Sequence, residues 1–127
     1  MIQTNPDHRK FTLKASVKSI KYAMEGIILF CKREHNARLH ILATILVIIM
    51  SFYFNISKVE AISLTFAVGL VITSEIFNTA VEKMADFITR ENKPEIKHIK
   101  DLAAGAVLVA AFTALIVGCI VFIPKIF

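Results

Sequence analysis

The chain has 127 residues, 56% of them hydrophobic and 20% charged, with a formal net charge of +5. That length suits one domain, and a soluble domain of this size would not gather its apolar residues into long uninterrupted runs. No nucleic-acid partner is expected: the basic residues flank apolar runs, where membrane electrostatics accounts for them. Cys31 and Cys119 have no metal-ligand spacing and are read as ordinary apolar residues.

The first eleven or so residues are polar, with no apolar core of a cleavable signal, so the first span is expected to act as its own insertion signal. From about residue 9 to 34, Phe11, Val17, Ile20, Met24, Ile27 and Ile28 recur at helical spacing against Lys14, Lys18 and Lys21. The pattern predicts an amphipathic helix lying on the membrane surface, bent or divided at Gly26.

Three transmembrane helices follow. Residues 41–57 contain no charge, residues 61–81 contain only Glu75, and residues 102–124 contain none. A span needs about 20 mostly apolar residues. The expected spans are about 36–55, 59–86 and 100–123, with 89–98 a polar loop around Pro94. The expected fold is an all-α membrane protein occupying residues 1–127 as a single domain. Eight of the fifteen basic residues precede residue 40, and Arg90, Lys93, Lys97 and Lys100 lie between the second and third spans. The positive-inside rule then places residues 88–98 in the cytoplasm and 55–58 outside. Ala106, Ala110, Ala114 and Gly118 form a small-residue stripe suited to close helix packing.

The second span carries the chemistry. At about 100° per residue, Glu75, Asn78, Glu82 and Asp86 fall within an arc of roughly 80°. Glu75 lies about 24 Å along the helix from Val59, in the inner half of the hydrocarbon, and Glu82 and Asp86 follow about 10 and 16 Å deeper. Acids at membrane depth are costly and mark function. Gly-rich phosphate loops and nucleophile triads are absent, and His8, His35, His40 and His98 lack ligand spacing, so interfacial or solvated roles are expected of them. Carboxylates, an asparagine and lysines at a membrane face suit phosphoryl transfer, in which acids hold Mg²⁺ and another acid takes the proton of an attacking hydroxyl. The alternative from another class is a non-enzymatic subunit whose acids serve ion or proton passage.

The pattern Glu75-x-x-Asn78-Thr79-Ala80-x-Glu82-x-x-x-Asp86 resembles the signature of the small prokaryotic diacylglycerol kinases, which include undecaprenol kinases. Glu34-x-x-x-Arg38, Lys100-Asp101 and the run Ala103-Ala104-Gly105-Ala106-Val107-Leu108 agree with it. The resemblance covers the chain from about Lys18 onward. It implies a homotrimeric helical bundle with sites shared between subunits, in the bacterial inner membrane and facing the cytoplasm. It also implies transfer of the γ-phosphate of Mg-ATP to a lipid alcohol, undecaprenol or diacylglycerol. By the same resemblance Glu75 is the general base, and Glu34 and Glu82 hold the Mg²⁺. Lys18, Tyr22, Asn78, Glu91, Asn92, Lys93, Lys100 and Asp101 meet the nucleotide, with Asp86 and Arg38 as further site candidates. Ala15, Met24 and Ala104 depart from the enteric diacylglycerol kinases, which carry an arginine, a tryptophan and a serine there. Together with the stretch Glu34-x-Asn36-x-Arg38-x-His40, they lean the lipid toward undecaprenol.

Overall fold

The computed structural model describes residues 12–91 and 93–127; the nucleotide candidate Asn92 and the start of the expected surface helix, residues 9–11, lie outside them. The described residues form four helices joined by short connections, without strands. The helices are α1 (Leu13–Arg33), α2 (His35–Tyr53), α3 (Lys58–Ile88) and α4 (Pro94–Ile126). Two compact units divide at Arg33 and Glu34. The first holds α1, which runs through Gly26 without interruption, against the expected division there. A single glycine costs a helix about 1 kcal/mol, which a 21-residue helix absorbs. Within α1, the Lys18 ammonium lies 5.7 Å from the centre of the Tyr22 ring, and Lys21 approaches Glu25 one turn on.

In the second unit α2, α3 and α4 are each long and apolar enough to cross a membrane. At 1.5 Å per residue, α2 measures about 28 Å, close to the thickness of a hydrocarbon core, whereas α3 measures about 46 Å. α3 is thus longer than such a core, and Glu82 and Asp86 lie in its last two turns. Large apolar side chains such as Phe66, Phe77, Phe112 and Leu115 are exposed along these helices, the inverse of a water-soluble core. Lipid is as apolar as leucine, so the helices associate by close packing and polar bonds instead of by burial from water.

α4 packs antiparallel along α3, and α2 lies against α3. An ion pair closes each end of the α3–α4 pair: Glu60 with Lys125 at 3.1 Å, and Asp86 with Lys100. Near the Glu60 end, Leu64, Val121 and Phe122 form a small core, joined by Val47, Met50, Phe54, Ile56 and Val117. Ala110 of the small-residue stripe is buried. Both cysteines are free thiols.

The α2–α3 turn is determined locally. Asn55 takes a left-handed conformation (φ 48°), which asparagine tolerates better than most residues. The Asn55 N–H donates to the Phe52 carbonyl and the Ile56 N–H to that of Ser51, a Schellman ending for α2. Ser57 then caps α3: its N–H donates to Glu60 Oε2 at 2.6 Å and its hydroxyl accepts from the Glu60 N–H.

The second connection is shorter than expected. α4 begins at Pro94, so residues 94–98 are helical and Lys100 and Asp101 lie inside the helix instead of opening it. Proline fits the first helical position because its fixed φ is already helical and no N–H is lost there. Glu95 in the first turn favours the positive end of the helix dipole.

The charge asymmetry makes a checkable statement about orientation. In a cysteine-free background, Ser57→Cys and Glu91→Cys should be labelled by impermeant reagent from opposite sides of the membrane, residue 91 from the cytoplasm. Labelling of both from one side removes the three-span arrangement.

Candidate active site

Burial along the carboxylate stripe of α3 is graded. Glu75 is 4% exposed and Asn78 7%, Glu82 is half-buried, and Asp86 is exposed. The stripe therefore leads from a closed interior to an open edge.

Each member has a partner. Glu75 Oε1 lies 3.0 Å from Nε2 of His40, on α2. Asn78 Nδ2 donates to Glu82 Oε1 at 3.1 Å, an i,i+4 bond that fixes both side chains. Lys100 of α4 donates to Asp86. Lys83 donates to Glu34, at the N-cap of α2. This last bond brings Glu34 beside the turn of α3 that carries Glu82, although the two acids are far apart in sequence. Glu34 thus has a partner on another helix, not merely the i,i+4 neighbour Arg38, which is exposed on α2.

The donor chemistry suits a hard cation. Asn78 Oδ1 is buried and accepts no hydrogen bond within the protein, so an oxygen acceptor beside Glu82 awaits a donor or a cation. Among the described residues no group of three or more His, Cys, Asp or Glu side chains converges on one point. Mg²⁺ does not require one, since it takes one or two carboxylates and completes its octahedron with phosphate and water.

Where α3 ends and α4 begins, a cavity of about 390 Å³ is lined by Asp86, Thr89, Arg90, Glu91, Lys93, Pro94, Ile96, Lys97 and Lys100. Four cationic side chains in one hollow suit a polyphosphate. The cavity unites the candidates Asp86, Glu91, Lys93 and Lys100. Glu91 pairs with Lys93 at 3.3 Å, and its N–H donates to the Thr89 hydroxyl. Asp101 is not part of that hollow. It pairs with Lys97 and lines an open groove with His98, Leu102, Gly105, Ala106 and Val109. Within one chain the adjacent pair Lys100-Asp101 therefore serves two different surfaces, as a helix step of about 100° requires. Lys18 and Tyr22 stand on α1, in the other compact unit, and both are exposed.

One residue differs from expectation: His40 is bonded to the buried acid, not solvated or merely interfacial. Local spacing carries no trace of a contact between helices 35 residues apart. The available signal is that a histidine just inside an otherwise apolar span needs a polar partner, and Glu75 is the only charged residue in the interior of the next span. Arg90 and Lys97, which the sequence marks only as part of a basic loop, also join the cationic hollow.

A sequence model of prokaryotic diacylglycerol kinase matches residues 21–122. An undecaprenol kinase of Bacillus subtilis (strain 168) is 36% identical over 119 residues, covering 94% of this chain and 96% of the relative. A diacylglycerol kinase of Synechocystis is 33% identical over 107 residues, covering 84% of this chain and 61% of that protein. The diacylglycerol kinase of Escherichia coli K12 is 28% identical over 104 residues, 82% of this chain and 85% of the relative. The family match takes in Glu34, Glu75, Asn78, Glu82, Lys100 and Asp101 together, and on that extent of agreement the chain belongs to the prokaryotic diacylglycerol kinase family.

Proposed function

We propose that this protein is an ATP-dependent lipid kinase of the bacterial inner membrane, with its site facing the cytoplasm and undecaprenol favoured over diacylglycerol as the acceptor. The carrying observation is the graded stripe on α3. A buried carboxylate, Glu75, lies at lipid depth, and the same helix face leads to a hollow of Arg90, Lys93, Lys97 and Lys100 at the membrane edge. A lipid hydroxyl and a soluble polyphosphate can meet along that face. Family members named as kinases supply the reaction class.

Glu75 takes the proton of the lipid hydroxyl as its oxygen attacks the γ-phosphorus, and the bond from that phosphorus to the bridging oxygen of ADP breaks. Lys100 and the neighbouring cations offset the charge of the phosphates. Glu34, Glu82 and the amide oxygen of Asn78 are the groups fitted to hold Mg²⁺. When bound, the ion neutralises phosphate charge and fixes the chain for in-line transfer. In this reading α1 lies on the membrane surface with Lys14, Lys18 and Lys21 toward anionic headgroups. Three copies assemble with shared sites, which gives Asp101, turned to a separate groove, a nucleotide on a neighbouring copy to meet. An acid stripe on a thin bundle would face lipid unless a neighbouring copy covered it, which favours such an assembly.

The preference between lipids rests on Ala15, Met24 and Ala104, small or apolar groups where the enteric branch has polar or indole groups, and on the greater identity to the Bacillus subtilis relative. A polyprenol offers one hydroxyl on an apolar chain. A pocket built for ester oxygens would leave donors unpaired around it, at about 1–3 kcal/mol each. Purified protein given γ-labelled ATP, Mg²⁺ and either lipid at equal mole fraction in the same micelles should phosphorylate both, with the larger kcat/KM for undecaprenol. Phosphorylation of neither ends the kinase reading, and a clear preference for diacylglycerol reverses the substrate assignment alone.

A further inference from the structure

Among the stripe's acids, Glu75 is the one whose partner is an imidazole. Asp86 is met by a lysine ammonium and Glu82 by an amide of its own helix. The Glu75 side chain is 5% exposed and that of His40 24%. At such depth either group alone would be left unsatisfied, and a bond that merely ties α2 to α3 would account for the pairing. Two further observations give it a direction. The contact is made to Oε1, so it fixes the long side chain of a glutamate, which otherwise has three free torsions, and leaves Oε2 to receive a proton. His40 also stands on the wall of a cavity of about 200 Å³ lined by Ala43, Thr44, Val47, Val68 and Val71 on the Ser57 side of Glu75. The cavity beside the pair is lined by His40 and not by the carboxylate, so the imidazole stands at free space while Glu75 does not.

We propose that His40 is the positioning residue for Glu75: its Nε2–H donates to Oε1 and holds the carboxylate in the single rotamer that presents Oε2 to the lipid hydroxyl. The inference rests on the assignment of Glu75 as the base. It requires the tautomer protonated at Nε2, and it places no reacting atom on the imidazole. The role falls on kcat, since substrate binding does not depend on which way Glu75 points.

Two variants separate positioning from packing. His40→Leu keeps comparable bulk beside the cavity and removes the donor. His40→Gln keeps a donor N–H at similar reach. In micelles with Mg-ATP and undecaprenol, His40→Leu should lower kcat on the order of 10²-fold while KM for ATP and lipid stays near that of the parent protein. His40→Gln should recover most of that loss. In a Glu75→Gln background, His40→Leu should add no further loss, because the group it positions is already gone. If the leucine variant does not assemble, His40→Asn, polar but too short to reach Oε1, takes its place with the same expectation. A normal kcat in His40→Leu, an equal loss in His40→Gln, or additive losses in the double variant overturns the inference. Near-normal turnover of Glu75→Gln alone overturns the base assignment and this inference together, whereas its inactivity beside a fully active His40→Leu overturns the inference alone.

Discussion

Replacing Glu75 with glutamine should leave a folded, membrane-inserted protein that binds Mg-ATP with nearly unchanged affinity and turns over about 10²–10⁴-fold more slowly. The change is nearly isosteric and still offers an oxygen to His40, so the α2–α3 contact keeps an acceptor. What disappears is the capacity to take a proton. Glu75 is separated from Glu82 and Asp86 by two to three turns of α3, and those acids are already bonded by Asn78 and Lys100, so neither can substitute as the base. Nucleotide affinity measured by a fluorescent ATP analogue and kcat measured by lipid phosphorylation separate the two effects. A kcat close to that of the parent protein removes the general-base role.

The second large effect concerns Glu34 and Glu82. Either one changed to Gln should raise the Mg²⁺ concentration needed for half-maximal rate on the order of 10–100-fold. The double variant should lose less than the product of the two, because one ion cannot be lost twice. Geometry gives this expectation content. Lys83 holds Glu34 at the turn of α3 that carries Glu82, and Asn78 holds Glu82 with its own oxygen left unbonded. Cation binding must then displace Lys83 from Glu34 or share the carboxylate with it. Lys83→Met should therefore lower the Mg²⁺ requirement slightly, in the opposite direction to Glu34→Gln. Additive defects that persist at saturating Mg²⁺ would argue for two separate roles.

What could be read from residue order alone follows from the range of each interaction. Charge-free runs mark α2, α3 and α4 because a spanning helix must satisfy its backbone internally and offer apolar side chains to lipid, a requirement written residue by residue. The alignment of Glu75, Asn78, Glu82 and Asp86 was equally legible, since 3.6 residues per turn is a property of one helix. The start of α4 is hard to place from residue order because proline marks loops as well as helix starts, and here it takes the first helical position. Composition hints at the contact His40–Glu75 and gives no sign of Glu34–Lys83, and residue spacing fixes neither. They depend on how α2 rotates against α3, and that rotation is set by packing along their whole length.

The turn between α2 and α3 leaves no backbone donor waiting. The N–H groups of Phe54, Asn55, Ile56 and Ser57 are taken in order by Met50, Phe52, Ser51 and Glu60. Those four donors need no water, but Lys58 and the Glu60–Lys125 ion pair stand directly beside them, and such charges are costly to draw below the headgroups. This end of the hairpin is therefore an anchor, and a change in bilayer thickness is met by tilt of the helices instead of by sinking the turn. The opposite end of the α3–α4 pair is charged in the same way, with Asp86 facing Lys100, so the pair is held from both ends.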